Sequence, residues 1–194
     1  KLAVYHDDFA DYSTNECTMD GTASLVYYLS ALQSHSKNIY NHPYITFSRG
    51  AIVRMDTTKR EVWLCFTAHD FNDGFDTIIN TLSKHKIKAS FFLTGDFCRT
   101  ISNEKTINRL KSDGHYIGPH SDKHLLYCSW EKRDSLLVSE NDFISDLESN
   151  YIALDKLGIT KKAASVFLPP YEWYNDTIAR WTKKYCLKLV NISS

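Results

Sequence analysis

The chain has 194 residues, the size of one domain or of one domain with a sizeable extension. Its 23 Lys+Arg balance 23 Asp+Glu, so the formal net charge is zero; this argues against a polyanion-binding surface that works by counterion release, and no nucleic-acid partner is expected. Apolar residues make up 43% and aromatics 13%, with only 7 Gly and 4 Pro, which excludes a disordered or collagenous chain, and no uncharged apolar run approaches the roughly 18 residues of a membrane span.

Residues 1–60 read differently from the rest and are expected to form an N-terminal extension. The first residue is Lys1 rather than Met and no signal peptide is visible, so the chain is expected to be a processed product or a piece. The opening stretch is polar and acidic; His6-Asp7-Asp8 is either a metal-binding group or an exposed acidic terminus. Leu25, Tyr28, Leu29 and Leu32 fall at helical spacing. Asn41, His42 and Pro43 punctuate the chain, and YITFSRGAIVRM predicts one or two short strands.

A regular alternation begins at residue 61 and defines a second unit, 61–194. VWLCFTAH predicts an apolar strand, and Phe75, Ile78, Ile79 and Leu82 predict a helix over 75–85. A strand over 88–95, a helix over 103–114 and a strand over 115–120 follow. A long helix is predicted over 135–157, with Leu136, Leu137, Phe143, Leu147, Tyr151, Leu154 and Leu157 as its apolar stripe. The run closes with a strand over 165–168 stopped by Pro169-Pro170, a helix over 174–185 and a strand over 186–192. The five cysteines (Cys17, Cys65, Cys98, Cys128, Cys186) show neither CxxC pairing nor the density of a disulfide scaffold; Cys65 and Cys186 lie in apolar runs and are expected to be buried thiols.

Apolar strands alternating with helices imply a parallel sheet covered by helices, open or closed into a barrel, with ligands at the carboxyl ends of the strands. Those ends carry His69-Asp70, Thr94-Gly95-Asp96, His120 to His124 and Pro169-Pro170-Tyr171. His120 and His124 stand at i and i+4 and can turn toward one point; with Asp70 they make a two-histidine, one-carboxylate set that leaves zinc an open position. Aromatic residues crowd the same ends: Tyr127, Trp130, Tyr171, Trp173 and Tyr174. Trp130 and Trp173 are expected to face a sugar. Asp122 either orients a histidine or caps a turn, and Asp96 caps.

These residues resemble the NodB-type polysaccharide deacetylases, carbohydrate esterase family four. Thr67-Ala68-His69-Asp70 is similar to that family's Thr-Phe-Asp-Asp, His120-Ser121-Asp122-Lys123-His124 to its His-(Ser/Thr)-x-x-His, and Leu168-Pro169-Pro170-Tyr171 to its Arg-Pro-Pro-Tyr. Lys88 to Gly95 resembles its Lys-Ala-Thr-Phe-Phe-Val-Thr-Gly strand. PHSDKHLLY and FLPPYEWYND resemble a divergent branch from gut Bacteroidetes. Phe71-Asn72-Asp73-Gly74 imitates Phe-Asp-Asp-Gly but falls beyond the apolar strand, so the Thr67 alignment is preferred and Asp73 and Asp76 become helix N-terminal acids.

The resemblance, over about residues 60–192, implies an α/β fold, a parallel-stranded partial or distorted (β/α) barrel. It implies a divalent metal, zinc first, held by Asp70, His120 and His124. His69 takes the place of the family's general base, which deprotonates the attacking water, and the backbone N–H of Tyr171 helps hold the oxyanion. Trp130, Pro170 and Trp173 are the expected substrate contacts. The family's base-pairing arginine is Leu168 here. A carboxylate base gains from a cationic partner whereas an imidazole base does not, so the two departures are read as linked, or else as the marks of a decayed site. The family also uses about seven strands and a late histidine as general acid. Five strands follow residue 60, so the chain is expected either to be truncated or to use strands from 1–60 to close the sheet. The implied activity is metal-dependent removal of N- or O-linked acetyl groups from a carbohydrate, in the periplasm, at the cell surface or outside the cell. The alternatives are a non-catalytic carbohydrate-binding domain on a degenerate deacetylase fold and an amidase acting on a small non-sugar amide. Nothing in the sequence sets the oligomeric state.

Overall fold

A computed structural model describes residues 43–192. The expected helix around Leu25 to Leu32, the His6-Asp7-Asp8 group and Cys17 lie outside the described residues. From residue 43 the order is β1 (Thr46–Ser48), β2 (Ala51–Arg54), β3 (Cys65–Ala68), α1 (Phe75–Lys84), β4 (Ser90–Leu93), α2 (Gly95–Arg99), a 3-10 turn (Ile101–Asn103), α3 (Glu104–Ser112), β5 (Tyr116–Pro119), α4 (Glu140–Lys156), β6 (Val166–Phe167), a second 3-10 turn (Pro170–Glu172), α5 (Asp176–Lys184) and β7 (Lys188–Leu189).

Strands β3, β4 and β5 form a parallel sheet in that order, and β6 pairs parallel with β7. The two pieces meet where Leu168 N–H donates to the Pro119 carbonyl at 3.4 Å and where the Tyr116 hydroxyl both accepts from Val166 N–H and donates to the Val166 carbonyl. Beyond β7, Val190 bridges in parallel to Ile52, and Asn191 N–H donates to the Ile52 carbonyl at 2.9 Å. The antiparallel hairpin β1–β2 therefore extends the sheet past its last strand. The result is a partial, distorted (β/α) barrel.

Side chains alternate between its two faces, as strands require. Phe92, Tyr116, Val166, Leu168, Val190 and Ile52 fill the inside. Phe66, Phe91, Leu93, Ile117, Phe167 and Leu189 pack outward with the apolar faces of the helices. Gly118 is required at the β5–β6 junction: a Cβ there would lie 2.7 Å from the Tyr116 ring and 2.8 Å from the Val166 carbonyl.

Helix α4 starts at Glu140 rather than near 135. Ser139 and Asp142 form a reciprocal capping box that fixes the first turn, while Leu136 bridges back to Cys128 in a strap ahead of it. Leu136 and Leu137 accordingly leave the predicted stripe and are exposed. Helix α2 had no apolar period to announce it; Thr94, not Asp96, caps it by accepting Phe97 N–H. Cys186 is exposed, contrary to its expected burial, because it occupies the left-handed turn (φ 63°) that follows α5. Cys65 is half-buried, and desolvation followed by the charge of Glu172 pushes its thiol up to about 12. Among the described residues no helix is long and apolar enough to cross a membrane.

Candidate active site

Each parallel strand releases its chemistry just past its carboxyl end. His69 and Asp70 follow β3, Thr94 follows β4, His120 to His124 follow β5, and Leu168 to Tyr171 follow β6. Three imidazoles and a phenol ring meet there. His69 stacks on His124 with centroids 4.8 Å apart, His120 lies 5.0 Å from His124, and Tyr171 covers His124 at 4.4 Å. The Asp70 carboxylate sits 3.3 Å from His69 Nε2, and Thr94 Oγ1 lies 3.3 Å from His69 Nδ1.

His120 is buried, and its Nδ1 donates to the Leu168 carbonyl at 2.8 Å, leaving Nε2 as an acceptor. That contact belongs to the backbone of residue 168 and does not depend on its side chain, which points into the barrel interior. Burial, then the neighbouring His124, push the pKa of His120 down to about 3. Burial, then His69, push His124 down to about 4, with Asp70 opposing. Both rings are neutral at pH 7. Neutral imidazoles, one with its second nitrogen tied to a carbonyl, are the donor type a divalent metal takes. Their arrangement is not yet a cage: among the described residues no three His, Cys, Asp or Glu side chains converge on one point, because the Asp70 carboxylate lies against His69.

The aromatic residues separate into two groups. Tyr127 and Tyr174 are buried in the core. Trp130 (56% exposed) and Tyr171 (44%) stand at the surface, 5.6 Å apart and edge to face, and Trp173 stacks on Trp130 at 5.3 Å. The Arg133 guanidinium lies 4.1 Å over Trp173. Pro170, expected at the substrate, is buried instead, because it opens the tight turn that presents Tyr171.

Four residues around this cleft hold a left-handed backbone without being glycine: Ser121 (φ 72°), His124 (φ 54°), Tyr171 (φ 59°) and Glu172 (φ 51°). Such conformations cost of order 1–3 kcal/mol each and persist only where surroundings over-determine them. For the 120–124 segment the surroundings are residues that motif reading passed over. Asp146 of α4 accepts from Ser121 Oγ at 2.7 Å, Asp122 N–H at 2.9 Å and Lys123 N–H at 3.0 Å. Asn150, one turn on, accepts from His120 N–H and donates to the Leu93 carbonyl, both at 3.1 Å. Asp122 neither caps nor touches a histidine: Arg99 grips its two oxygens at 2.7 and 2.9 Å. Gly95 makes room for this pair, since a Cβ there would fall 1.8 Å from an Asp122 oxygen. Asp96 joins Arg99 and Lys123 instead of capping. The signal for Asp146 and Asn150 was present: two polar residues at i and i+4 beside Phe143, Leu147 and Tyr151, on the buried face of the longest helix.

Comparison with known proteins bears on this geometry. The polysaccharide deacetylase family matches residues 54–190. A peptidoglycan-N-acetylmuramic acid deacetylase of Bacillus subtilis is 26% identical over 130 residues, which cover 66% of this chain and 45% of that protein. The chain spans about half the length of the curated relatives it matches. A family 4 carbohydrate esterase from Bacillus anthracis superposes with a TM-score of 0.62 at 23% identity, over 88% of this chain and 72% of that one. A CE4 family pseudoenzyme from the same species also gives 0.62, at 20% identity, over 75% and 47%. A mutant of that pseudoenzyme, described as having restored enzymatic activity, gives 0.62 at 19% identity, over 83% and 58%. These structural likenesses establish the barrel.

Proposed function

The chain belongs to the polysaccharide deacetylase family, and on that premise we propose that it is a carbohydrate deacetylase, a hydrolase that removes N- or O-linked acetyl groups from a polysaccharide or oligosaccharide. The observation that carries this reading is the gathering of His69, His120, His124 and Tyr171 at the ends of three parallel strands.

His69 is the general base. Thr94 Oγ1 lies within reach of His69 Nδ1, and in the tautomer that this role needs Nδ1–H would donate to it while Nε2 keeps its lone pair for the proton of the attacking water. A divalent metal, zinc first, held by Asp70, His120 and His124, would supply Lewis acidity. Asp70 Oδ1 lies 3.3 Å from His69 Nε2, so the carboxylate that would hold the metal stands directly beside the base. Tyr171 sits in a left-handed turn, and its backbone N–H is the group assigned to the oxyanion. Trp130 and Tyr171 offer the exposed ring faces on which a pyranose stacks, with Trp173 supporting Trp130 from behind. Such a substrate places the protein in the periplasm, at the cell surface or outside the cell. An O-acetyl group releases an alkoxide, a better leaving group than the amine released from an N-acetyl group, so O-acetyl substrates are expected to depend less on a general acid.

The second reading, a non-catalytic carbohydrate-binding domain, draws on Leu168: its buried side chain puts no cation beside the base position. The two are separated by measuring acetate release from acetylated xylan and from chitopentaose with zinc present. Release from xylan that is abolished in His120→Ala supports the deacetylase. Oligosaccharide binding without acetate release from either supports the binding domain.

A further inference from the structure

We propose that Asp146 and Asn150, one turn apart on α4, are the positioning residues that set His120 and His124 for the reaction. The inference rests on the deacetylase reading for what the histidines do, but not for how they are held.

The 120–124 segment is placed against its own preference, with Ser121 and His124 both left-handed. Two successive backbone N–H groups, of Asp122 and Lys123, and the Ser121 hydroxyl converge on the Asp146 carboxylate. A buried carboxylate with three donors aimed at it fixes the path of the chain between the two histidines. Asn150 fixes the start of that path. Its amide bridges His120 N–H and the Leu93 carbonyl, so one side chain sets the ends of β4 and β5 relative to each other. Phe143, Leu147, Tyr151 and Leu154, buried along the same helix, hold both residues in place from behind. The Arg99–Asp122 pair braces the segment from the far side. Neither Asp146 nor Asn150 touches a histidine ring; they act through the backbone that carries it.

The decisive variant is Asp146→Asn, which keeps the shape but turns an amino group toward donors, with Asn150→Asp as the second. Leu147→Ala is the control: it weakens the same helix without touching the segment. The measurements are zinc affinity by calorimetry, kcat and KM on acetylated xylan at a temperature well below each variant's melting point, and crystal structures. Outer partners of ligand histidines are worth roughly 10- to 100-fold in metal affinity or activity. Asp146→Asn should therefore lose roughly 10- to 100-fold in zinc affinity and kcat with KM nearly unchanged, whereas Leu147→Ala loses melting temperature and keeps both. In the Asp146→Asn crystal the His120 and His124 rings should no longer sit 5.0 Å apart. Equal effects of Asp146→Asn and Leu147→Ala on kcat, or an unmoved segment in the Asp146→Asn crystal, would overturn the inference. A wild-type protein that neither binds zinc nor releases acetate would sink the deacetylase reading instead, and the crystal comparison would still decide the positioning role.

Discussion

The 120–124 segment and the strap that carries Trp130 border the same cleft and are fixed by different forces. The first is buried and tied by charged or amide side chains to a helix that is itself core. The second is held at its margins. Trp173 Nε1 donates to the Ser129 carbonyl, Arg133 Nε to the Tyr174 carbonyl, and Arg49 reaches Asp134 and Asp176 at 3.2 and 3.4 Å in exposed ion pairs. Reacting groups need placement to a fraction of an ångström, whereas a ring that stacks on a sugar face tolerates sliding. On the proposed function, the cleft is tied most firmly where bonds would break and more loosely where a sugar would lie.

The comparison is broken most directly at the base. His69→Ala should lower kcat by on the order of 100- to 10,000-fold without unfolding the protein; unchanged turnover would move the role to another group, with Asp73 tested first. A second test uses pH. The folded pKa values of His120 (about 3) and His124 (about 4) lie below an unfolded value near 6.5. Their contribution to stability is therefore whole above about pH 6.5 and is lost as pH falls toward the folded values, because the unfolded chain takes up protons that the folded chain refuses. At pH 5 this amounts to about 2 kcal/mol for each histidine. Urea melts at pH 7.5 and pH 5 measure the loss, and a His124→Asn variant should show a smaller one. Trp130→Ala reads the adjustable wall: KM for oligosaccharide should rise by roughly 2- to 12-fold, the equivalent of 0.5–1.5 kcal/mol, with kcat kept. The smallest effect is expected for Arg49→Ala, which removes two exposed ion pairs worth below about 1 kcal/mol together. A large loss there would mean that the strap is held as tightly as the histidine segment.

Much of this was legible in the sequence where one local rule acted alone. The strands at 90–93 and 116–119 and the helix at 75–84 follow directly from apolar runs and helical period. The start of α4 was misplaced because Leu136 and Leu137 imitate its stripe, and only the Ser139–Asp142 box distinguishes helix from strap. His69, His120, His124 and Tyr171 were legible because strand ends in a parallel barrel converge. Pro170 was misread because adjacency to Tyr171 in sequence says nothing about which of two neighbours a left-handed turn turns outward. Asp146 and Asn150 stand out locally only as polar residues on a buried helix face; what they hold was not legible, because their partners lie 23 to 57 residues away.

The bridge between Ile52 and Val190 has a consequence for how the protein is made. On the ribosome, synthesis is vectorial, and the hairpin that contains Ile52 emerges long before its partner exists. Through that interval Ile52 lacks its partner Val190, and this closure is a late event governed by a contact that spans nearly the whole described chain. A nascent chain stalled before residue 190 should then expose an edge competent to recruit another chain, so the interval between the synthesis of Ile52 and that of Val190 bears on the yield of soluble protein.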